Sequence, residues 1–243
     1  MGLLNYLKYK IVGVEINEFK GYKHIFKNRV GLEIGGPSPI FKRKRNLPIY
    51  NLTKKIDGCN FSNKTIWEGD VNKNNFYFKR KRKQFVSDGT DLSNLEDGTY
   101  DFVISSNCLE HIANPLKALN EWLRILKPDG QILIVVPNSK TNFDHARPIT
   151  TIDHLLDDLK NNTDEKDSTH LEEILKLHDL SMDKPAGSLE NFKQRSLDNY
   201  NNRALHHHVF DMDLLTSIFK LLNIDILFTK EMDNYIIFGQ KKS

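Results

Sequence analysis

Two clusters of residues in this chain have the chemistry for acid–base work. The segment Thr141-Asn142-Phe143-Asp144-His145-Ala146-Arg147-Pro148 puts an acid (Asp144), a tunable base (His145) and a guanidinium that can clamp an anion (Arg147) within four positions. The second cluster is the triplet His206-His207-His208. Three consecutive side chains cannot all face one point in either a helix or a strand, so one or two of them are available to a single site. Such groups take up and release protons, and a general base must stand within about 3 Å of the proton it removes. For each histidine the competing role is a hydrogen-bonded structural one. Glu110, Asp144, His145 and His206–His208 are also metal-ligand types. No tight HxxxH or carboxylate–His spacing marks a metal centre, so none is expected.

A third feature is a turn. Val30-Gly31-Leu32-Glu33-Ile34 is a short apolar run that stops at Gly35-Gly36-Pro37-Ser38-Pro39. It reads as a buried strand ending in a glycine-rich bend, and ligands of open α/β sheets sit at that edge. The spacing is not GxGxxG, and Pro37 and Pro39 remove two N–H donors that a pyrophosphate would need. A dinucleotide site is therefore disfavoured.

The elements that position these groups follow from periodicity. Strands are expected near Pro48–Asp57, Gln84–Ser87, Phe102–Ser105 and Ile132–Val136. A helix is expected over Pro115–Leu126, with Leu116, Leu119, Leu123 and Leu126 at helical spacing, Pro115 at its start and Pro128 past its end. Strands alternating with helices indicate a parallel sheet. Residues 138–204 are rich in charge, His and Asn, with helical spacing near Ile152–Leu159 and Leu171–Leu177, and read as a cap. Asp211–Leu222 is an amphipathic helix, and Ile224–Thr229 with Tyr235–Gly239 form a closing antiparallel hairpin around the turn Glu231–Asn234. The expected organisation is one domain: a helical lead-in (1–27), a ligand-binding half (28–139), a helical cap (140–204), and a closing helix and strands (205–243).

Composition narrows the function classes. The chain has 243 residues, 39% hydrophobic and 28% charged, with 35 Lys+Arg against 32 Asp+Glu for a net charge of +3. This is a globular profile. The longest purely apolar stretch, Ile132–Val136, is far short of the roughly 20 residues that span a membrane. The opening MGLLNYLKYK is too short and interrupted for a secretory signal, and Tyr6 stands where a myristoylation signal needs Ser or Thr. Cys59 and Cys108 are too few for a disulfide framework, so a reducing, cytoplasmic setting is expected. Lys42–Arg45 and Lys79–Lys83 are basic runs that read as solvated loops or anion contacts.

Taken in order, several segments resemble the class I S-adenosylmethionine-dependent methyltransferases. Glu33-Ile34-Gly35-Gly36 resembles the first motif of that family, and Asp88-Gly89-Thr90-Asp91 the segment after its third strand. Gly98-Thr99-Tyr100-Asp101-Phe102-Val103 resembles the start of the fourth strand, and Asn107-Cys108-Leu109-Glu110-His111 the LEH signature. Leu126-Lys127-Pro128-Asp129-Gly130 resembles LKPGG, with Asp129 replacing the first Gly. The match covers about 30–140, and each motif is weak alone but the ordered set is specific. The resemblance implies a Rossmann-like, doubly wound, mostly parallel seven-stranded sheet with an antiparallel C-terminal strand. It implies S-adenosyl-L-methionine as cofactor and S-adenosyl-L-homocysteine as product. Glu33, Gly35, Gly36 and Pro37 would then cradle the methionine end, Asp57 the ribose, and Asp88 and Gly89 the adenine, with Ser106, Asn107 and His111 close by.

The distal segments 143–150, 169–173 and 206–210 resemble a bacterial subgroup linked to O-methylation of surface-polysaccharide and capsule sugars. On that basis the acceptor is a sugar hydroxyl, on a carbohydrate or nucleotide-sugar. His145, Asp144, His207 and His208 would be the catalytic candidates, and Arg147, Arg203 and His206 would contact substrate, with Arg195 a further phosphate partner. The alternatives are a nucleic-acid or other small-molecule methyltransferase, and a non-catalytic cofactor-binding protein. Nucleic acid is disfavoured because the charge is near balance and few stacking aromatics accompany the basic runs. No membrane partner is expected, and a homo-oligomer stays open.

Overall fold

The computed structural model describes residues 14–67, 69–70 and 83–242. Residues 1–13 of the helical lead-in and 79–82 of the second basic run lie outside these.

Seven strands form one sheet: β1 (Val30–Ile34), β2 (Lys55–Asn60), β3 (Gln84–Val86), β4 (Tyr100–Ser106), β5 (Leu126–Pro137), β6 (Ile224–Glu231) and β7 (Asn234–Lys241). Their spatial order is β3-β2-β1-β4-β5-β7-β6. β1 runs parallel to β2 and β4, β2 to β3, and β4 to β5, whereas β7 is antiparallel to both β5 and β6. The expected mostly parallel sheet with one antiparallel strand is the fold observed.

The strands alternate between two cores, as a period of two requires. Leu32, Ile34, Val103, Ile132, Ile134, Val136, Tyr235 and Ile237 point to one face, under the helices α2 (Pro115–Ile125) and α6 (Met212–Leu221). Ile56, Phe102, Ile104, Leu133, Val135, Ile236 and Phe238 point to the other, under α1 (Asn17–Phe26) and the loop that carries Phe41, Leu47 and Ile49. The helix α2 starts where Asn114 accepts the Lys117 N–H at 3.1 Å and Pro115 fills the first turn. Trp122, on its buried face, donates to the Gly89 carbonyl at 2.9 Å and so fixes the loop after β3. Between β5 and α6, the helices α3 (Ile152–Asn161), α4 (Leu171–Leu177) and α5 (Leu189–Leu197) form the cap, and the last two share a small core of Ile174, Ala186, Phe192 and Leu205. No helix among the described residues is long and apolar enough to cross a membrane.

Two expectations need correction. The strand near Pro48–Asp57 is in fact a 3₁₀ turn at Ile49–Asn51 followed by β2, which starts at Lys55 and continues through Gly58, Cys59 and Asn60. It continues because Gly58 and Cys59 pair with β1 on one side, and all three residues pair with β3 on the other. The strand placed at Ile132–Val136 begins at Leu126, with a register shift opposite Tyr100–Phe102. Asp129 sits in that irregularity at φ 58°, a left-handed position that Asp tolerates and Gly prefers.

Gly31 tests the central packing. A Cβ there would lie 2.1 Å from the Phe102 ring. Gly31→Ala should lower stability by about 1–3 kcal/mol in denaturant unfolding; an unchanged midpoint would contradict the packing.

Candidate functional site

The C-terminal ends of the parallel strands open into one cavity of about 1020 Å³. Ile34 and Gly35 line it from β1, Cys59 and Asn60 from β2, Ser87, Asp88 and Gly89 from after β3, Ser106, Asn107 and Cys108 from after β4, and Pro137 from β5. The chain leaves β1 toward β2 on one side and returns to β4 on the other. The cavity therefore sits at the sheet's topological switch point, where open α/β sheets bind ligands.

The floor of the cavity is the bend after β1. Gly35 has φ +76° and donates to the Cys59 carbonyl at 2.9 Å; a Cβ on it would come within 2.7 Å of the Cys108 side chain. Only glycine combines that dihedral with that approach. The fully buried Glu33 carboxylate lies beneath the bend, accepting from the Ser38 N–H at 2.8 Å and from the Tyr50 hydroxyl at 2.8–2.9 Å. Glu33 and Gly36 thus hold the bend rather than line the cavity, and a Cβ on Gly36 would sit 2.1 Å from the Glu33 carboxyl carbon. Pro37 is buried beside them and does not line the cavity either.

Asp57 requires the clearest correction. It lies mid-strand, with its carboxylate taken by Lys55 Nζ at 2.8 Å, the Lys83 N–H at 2.6 Å and the Tyr100 hydroxyl at 3.2 Å. The residue that reaches the cavity from the end of β2 is Asn60. The error came from ending the strand three residues early.

The opposite wall carries the ionisable groups. Asp144 is buried and shared: Arg147 Nη1 donates to its Oδ1 at 3.1 Å, and His206 Nδ1 to its Oδ2 at 2.6 Å. Burial opposes charge on Asp144, but the His206 and Arg147 cations outweigh it and bring its pKa down to about 2. Burial likewise opposes charge on His206, yet the Asp144 carboxylate raises its pKa above the ordinary value. With Nδ1 engaged, Nε2 is the nitrogen left to exchange a proton. Glu110 sits in the 3₁₀ turn Leu109–His111 after β4 and lines the same cavity. Its two carboxylate oxygens are buried and accept no hydrogen bond among the described residues, and burial pushes its pKa up to about 7. His111 donates from Nδ1 to the Leu205 carbonyl at 3.1 Å, and burial keeps it neutral, well below its ordinary pKa. Its ring lies 4.5 Å from that of His206. Glu110, His111 and His206 bring ligand atoms within 4.8 Å of one another, a set that could also hold a cation.

The other predicted residues divide clearly. Asp88, Gly89, Ser106, Asn107 and His111 line the cavity as expected, and so does Arg203. Arg203 is already charge-paired with Asp88 and Glu165, both at 3.0 Å. Arg195 also faces the cavity and pairs with Asp183 at 2.9 Å. Arg147 is not a substrate clamp: its buried guanidinium is enclosed by Asp144, Glu173 at 2.8 Å and the His206 carbonyl at 2.9 Å. His145 is exposed and pairs with Asp179 at 3.2 Å, outside the cavity. His207 is buried on Asn199 at 3.0 Å, and His208 on the Ala113 carbonyl at 3.1 Å. Of the four catalytic candidates only Asp144 takes part in this group, and the imidazole beside it is His206, expected to bind substrate. Sequence reasoning missed Glu110 as an acid–base group. Its signal was a carboxylate in the turn after a buried strand.

Comparison with known proteins agrees with this geometry. Residues 49–134 match the family model described as Methyltransferase domain. The fold is the Rossmann-like fold of the class I methyltransferases. A curated relative, an uncharacterized protein of Methanocaldococcus jannaschii, is 40% identical over 90 residues, 37% of this chain and 36% of that one. The match thus spans about a third of the relative's length. Among solved structures, an S-adenosylmethionine-dependent methyltransferase of Methanosarcina mazei aligns at TM-score 0.53 and 16% identity, over 94% of this chain and 99% of that one. A structure from Rhodobacter sphaeroides provisionally described as Zn-dependent alcohol dehydrogenases aligns at TM-score 0.57 and 11% identity, over 97% and 94%. At such identities the likeness concerns the fold, and function must be argued from the site.

The dyad makes a titration prediction. His206 should titrate above pH 6.5 by NMR, and in Asp144→Asn its pKa should fall because the carboxylate that favours the cation is gone. A wild-type value at or below 6.5 would contradict the pairing. For Asp144 the folded pKa is the lower one. Its contribution to stability is therefore complete above the unfolded value near 3.8 and is lost as pH falls toward 2.

Proposed function

We propose that this protein transfers a methyl group from S-adenosylmethionine to a hydroxyl of a small polyhydroxylated acceptor, a sugar. The observation that carries the reading is a single cavity that joins a glycine bend at the switch point to His206, backed by the buried Asp144, and to Glu110, whose carboxylate accepts no hydrogen bond among the described residues. The donor set fits the cofactor. Gly35 leaves the strand end free of side chain, Asn60 offers an amide for ribose hydroxyls, and Asp88 and Gly89 flank the space for a purine. Bound there, S-adenosylmethionine would supply a methyl already activated on a sulfonium.

The protein's own part is positioning and proton removal. Orientation in a closed site can supply several kcal/mol of the barrier reduction. In its neutral form, at pH above its raised pKa, His206 takes the hydroxyl proton at Nε2, while Asp144 holds the ring and stabilises the cation that forms, itself fixed by Arg147. Glu110, with a pKa of about 7, is placed to share that proton. The acceptor side carries Asn142, Asp183, Asp233 and Asn234 beside Phe143 and Trp67. Polar groups interleaved with aromatic faces suit a sugar. Because Arg147, Arg195 and Arg203 are charge-paired within the protein, the reading is made for the sugar itself and not for an attached nucleotide. An amine acceptor would have less need of the Asp144–His206 pair.

Calorimetry should show S-adenosylmethionine binding that Gly35→Val abolishes and His206→Ala preserves. On an acceptor found by mass-spectrometric screening for the gain of one CH₂, His206→Ala should cut turnover by about 100-fold. Undiminished binding by Gly35→Val, or full turnover by His206→Ala, would overturn the reading.

A further inference from the structure

Outside the cavity, the cap gathers a second set of imidazoles. The α3 helix carries His154 and Asp158 one turn apart, so both project from one face. His170 caps the start of α4, and His208 belongs to the irregular segment that leads to α6. His154 Nε2 lies 2.9 Å from His170 Nε2 and 3.3 Å from Asp158 Oδ2, and His208 Nε2 lies 3.7 Å from that same oxygen. One nitrogen from each of the three histidines falls within 4.8 Å of the others.

Two of these groups have unmet needs. Asp158 is 8% exposed, and its Oδ2 is buried and accepts no hydrogen bond among the described residues. His208 is 2% exposed; its Nε2 faces the Ala113 carbonyl at 3.1 Å, and its Nδ1 is buried with no hydrogen-bond partner among the described residues. Burying such groups unsatisfied is costly. A cation at their centre would satisfy both.

We propose that His154, Asp158, His170 and His208 form a zinc site that fastens the cap to the rest of the molecule. Zinc takes imidazole and carboxylate at about 2.0–2.2 Å in a tetrahedron, which puts neighbouring ligand atoms about 3.3 Å apart. His154 Nε2 stands 2.9 Å from His170 Nε2 and 3.3 Å from Asp158 Oδ2, near that spacing, and His208, whose Nε2 faces the Ala113 carbonyl, would offer Nδ1. Four protein ligands leave no open position, so the site is structural rather than catalytic. The Ala113 carbonyl orients His208 as outer partners of zinc histidines do. The ligands come from α3, from the start of α4 and from the segment beside Ala113. Zinc would thus tie three separate stretches of chain together next to the Leu109–His111 turn. The proposal stands independently of the methyltransferase reading.

The test uses the full-length protein, stripped with chelator, refilled with Zn²⁺ and desalted. Elemental analysis should find about one zinc per chain. Cobalt in its place should give the visible absorption of a four-coordinate site, and added zinc should raise Tm. His170 is half-exposed, so His170→Ala should fold, as checked by circular dichroism, but bind zinc about 100-fold more weakly and lose the Tm response. Asp158→Asn should weaken binding in the same direction. The paired control is Glu110→Gln with His111→Ala, which should keep its zinc. Substoichiometric zinc in the refilled wild type, or full zinc in His170→Ala, would overturn the site. Loss of zinc in the Glu110/His111 control alone would overturn it as well, by placing the metal in the cavity.

Discussion

The histidine-bearing half of the cavity depends on one buried carboxylate. Asp144 stands between the Arg147 guanidinium and the His206 imidazole, and each of those partners is tied to a different part of the chain. Arg147 reaches Glu173 at the start of α4 and the carbonyls of His206 and His207. The backbone N–H of His207 in turn donates to the Glu110 carbonyl at 2.9 Å, which anchors the turn after β4. The cap, the 206–208 segment and the Leu109–His111 turn are therefore set in register by a single charge. Removing one partner of such a buried pair typically costs about 3–5 kcal/mol, because the charge left behind is unpaired. The interaction that shapes the site is thus also a stability element, and substitutions at Asp144 need a fold check before any kinetic reading.

The other half of the cavity rests on the sheet. β1 ends at Gly35, where a left-handed dihedral and the approach of Cys108 exclude a side chain. The carboxylate of Glu33 holds the bend from below, through the Ser38 N–H and the Tyr50 hydroxyl. A rigid cradle at the switch point and a titratable wall built by the cap meet over the same space.

Much of the fold was legible because burial writes periodicity into the chain. The terminal hairpin, α2 with Pro115 at its start, and the helices α3 and α4 fell within a few residues of expectation, whereas α5 was not foreseen. β2 was misjudged because Asp57-Gly58 reads locally as a turn, whereas pairing on both sides carries the strand on to Asn60. The site was legible at the level of segments, not of side chains. Asp144 and the histidine triplet were both expected to matter. Which imidazole meets Asp144 depends on the path of an irregular stretch, and no periodicity reports that path. Glu33 was expected to touch ligand, and its inward turn toward Tyr50 depends on a contact 17 positions away. No metal spacing was read in the sequence, although His154 and Asp158 stand four positions apart, because their partners at positions 170 and 208 meet them only in three dimensions.

The central claim is that one cavity sets a sulfonium cradle at Gly35 against a proton acceptor at His206. A crystal structure of the complex with S-adenosylhomocysteine tests it directly. The account predicts the nucleoside between Asn60 and Gly89, with its sulfur above Gly35 and open toward His206 Nε2. Electron density for the nucleoside elsewhere, or a sulfur screened from His206 by intervening side chains, would contradict it.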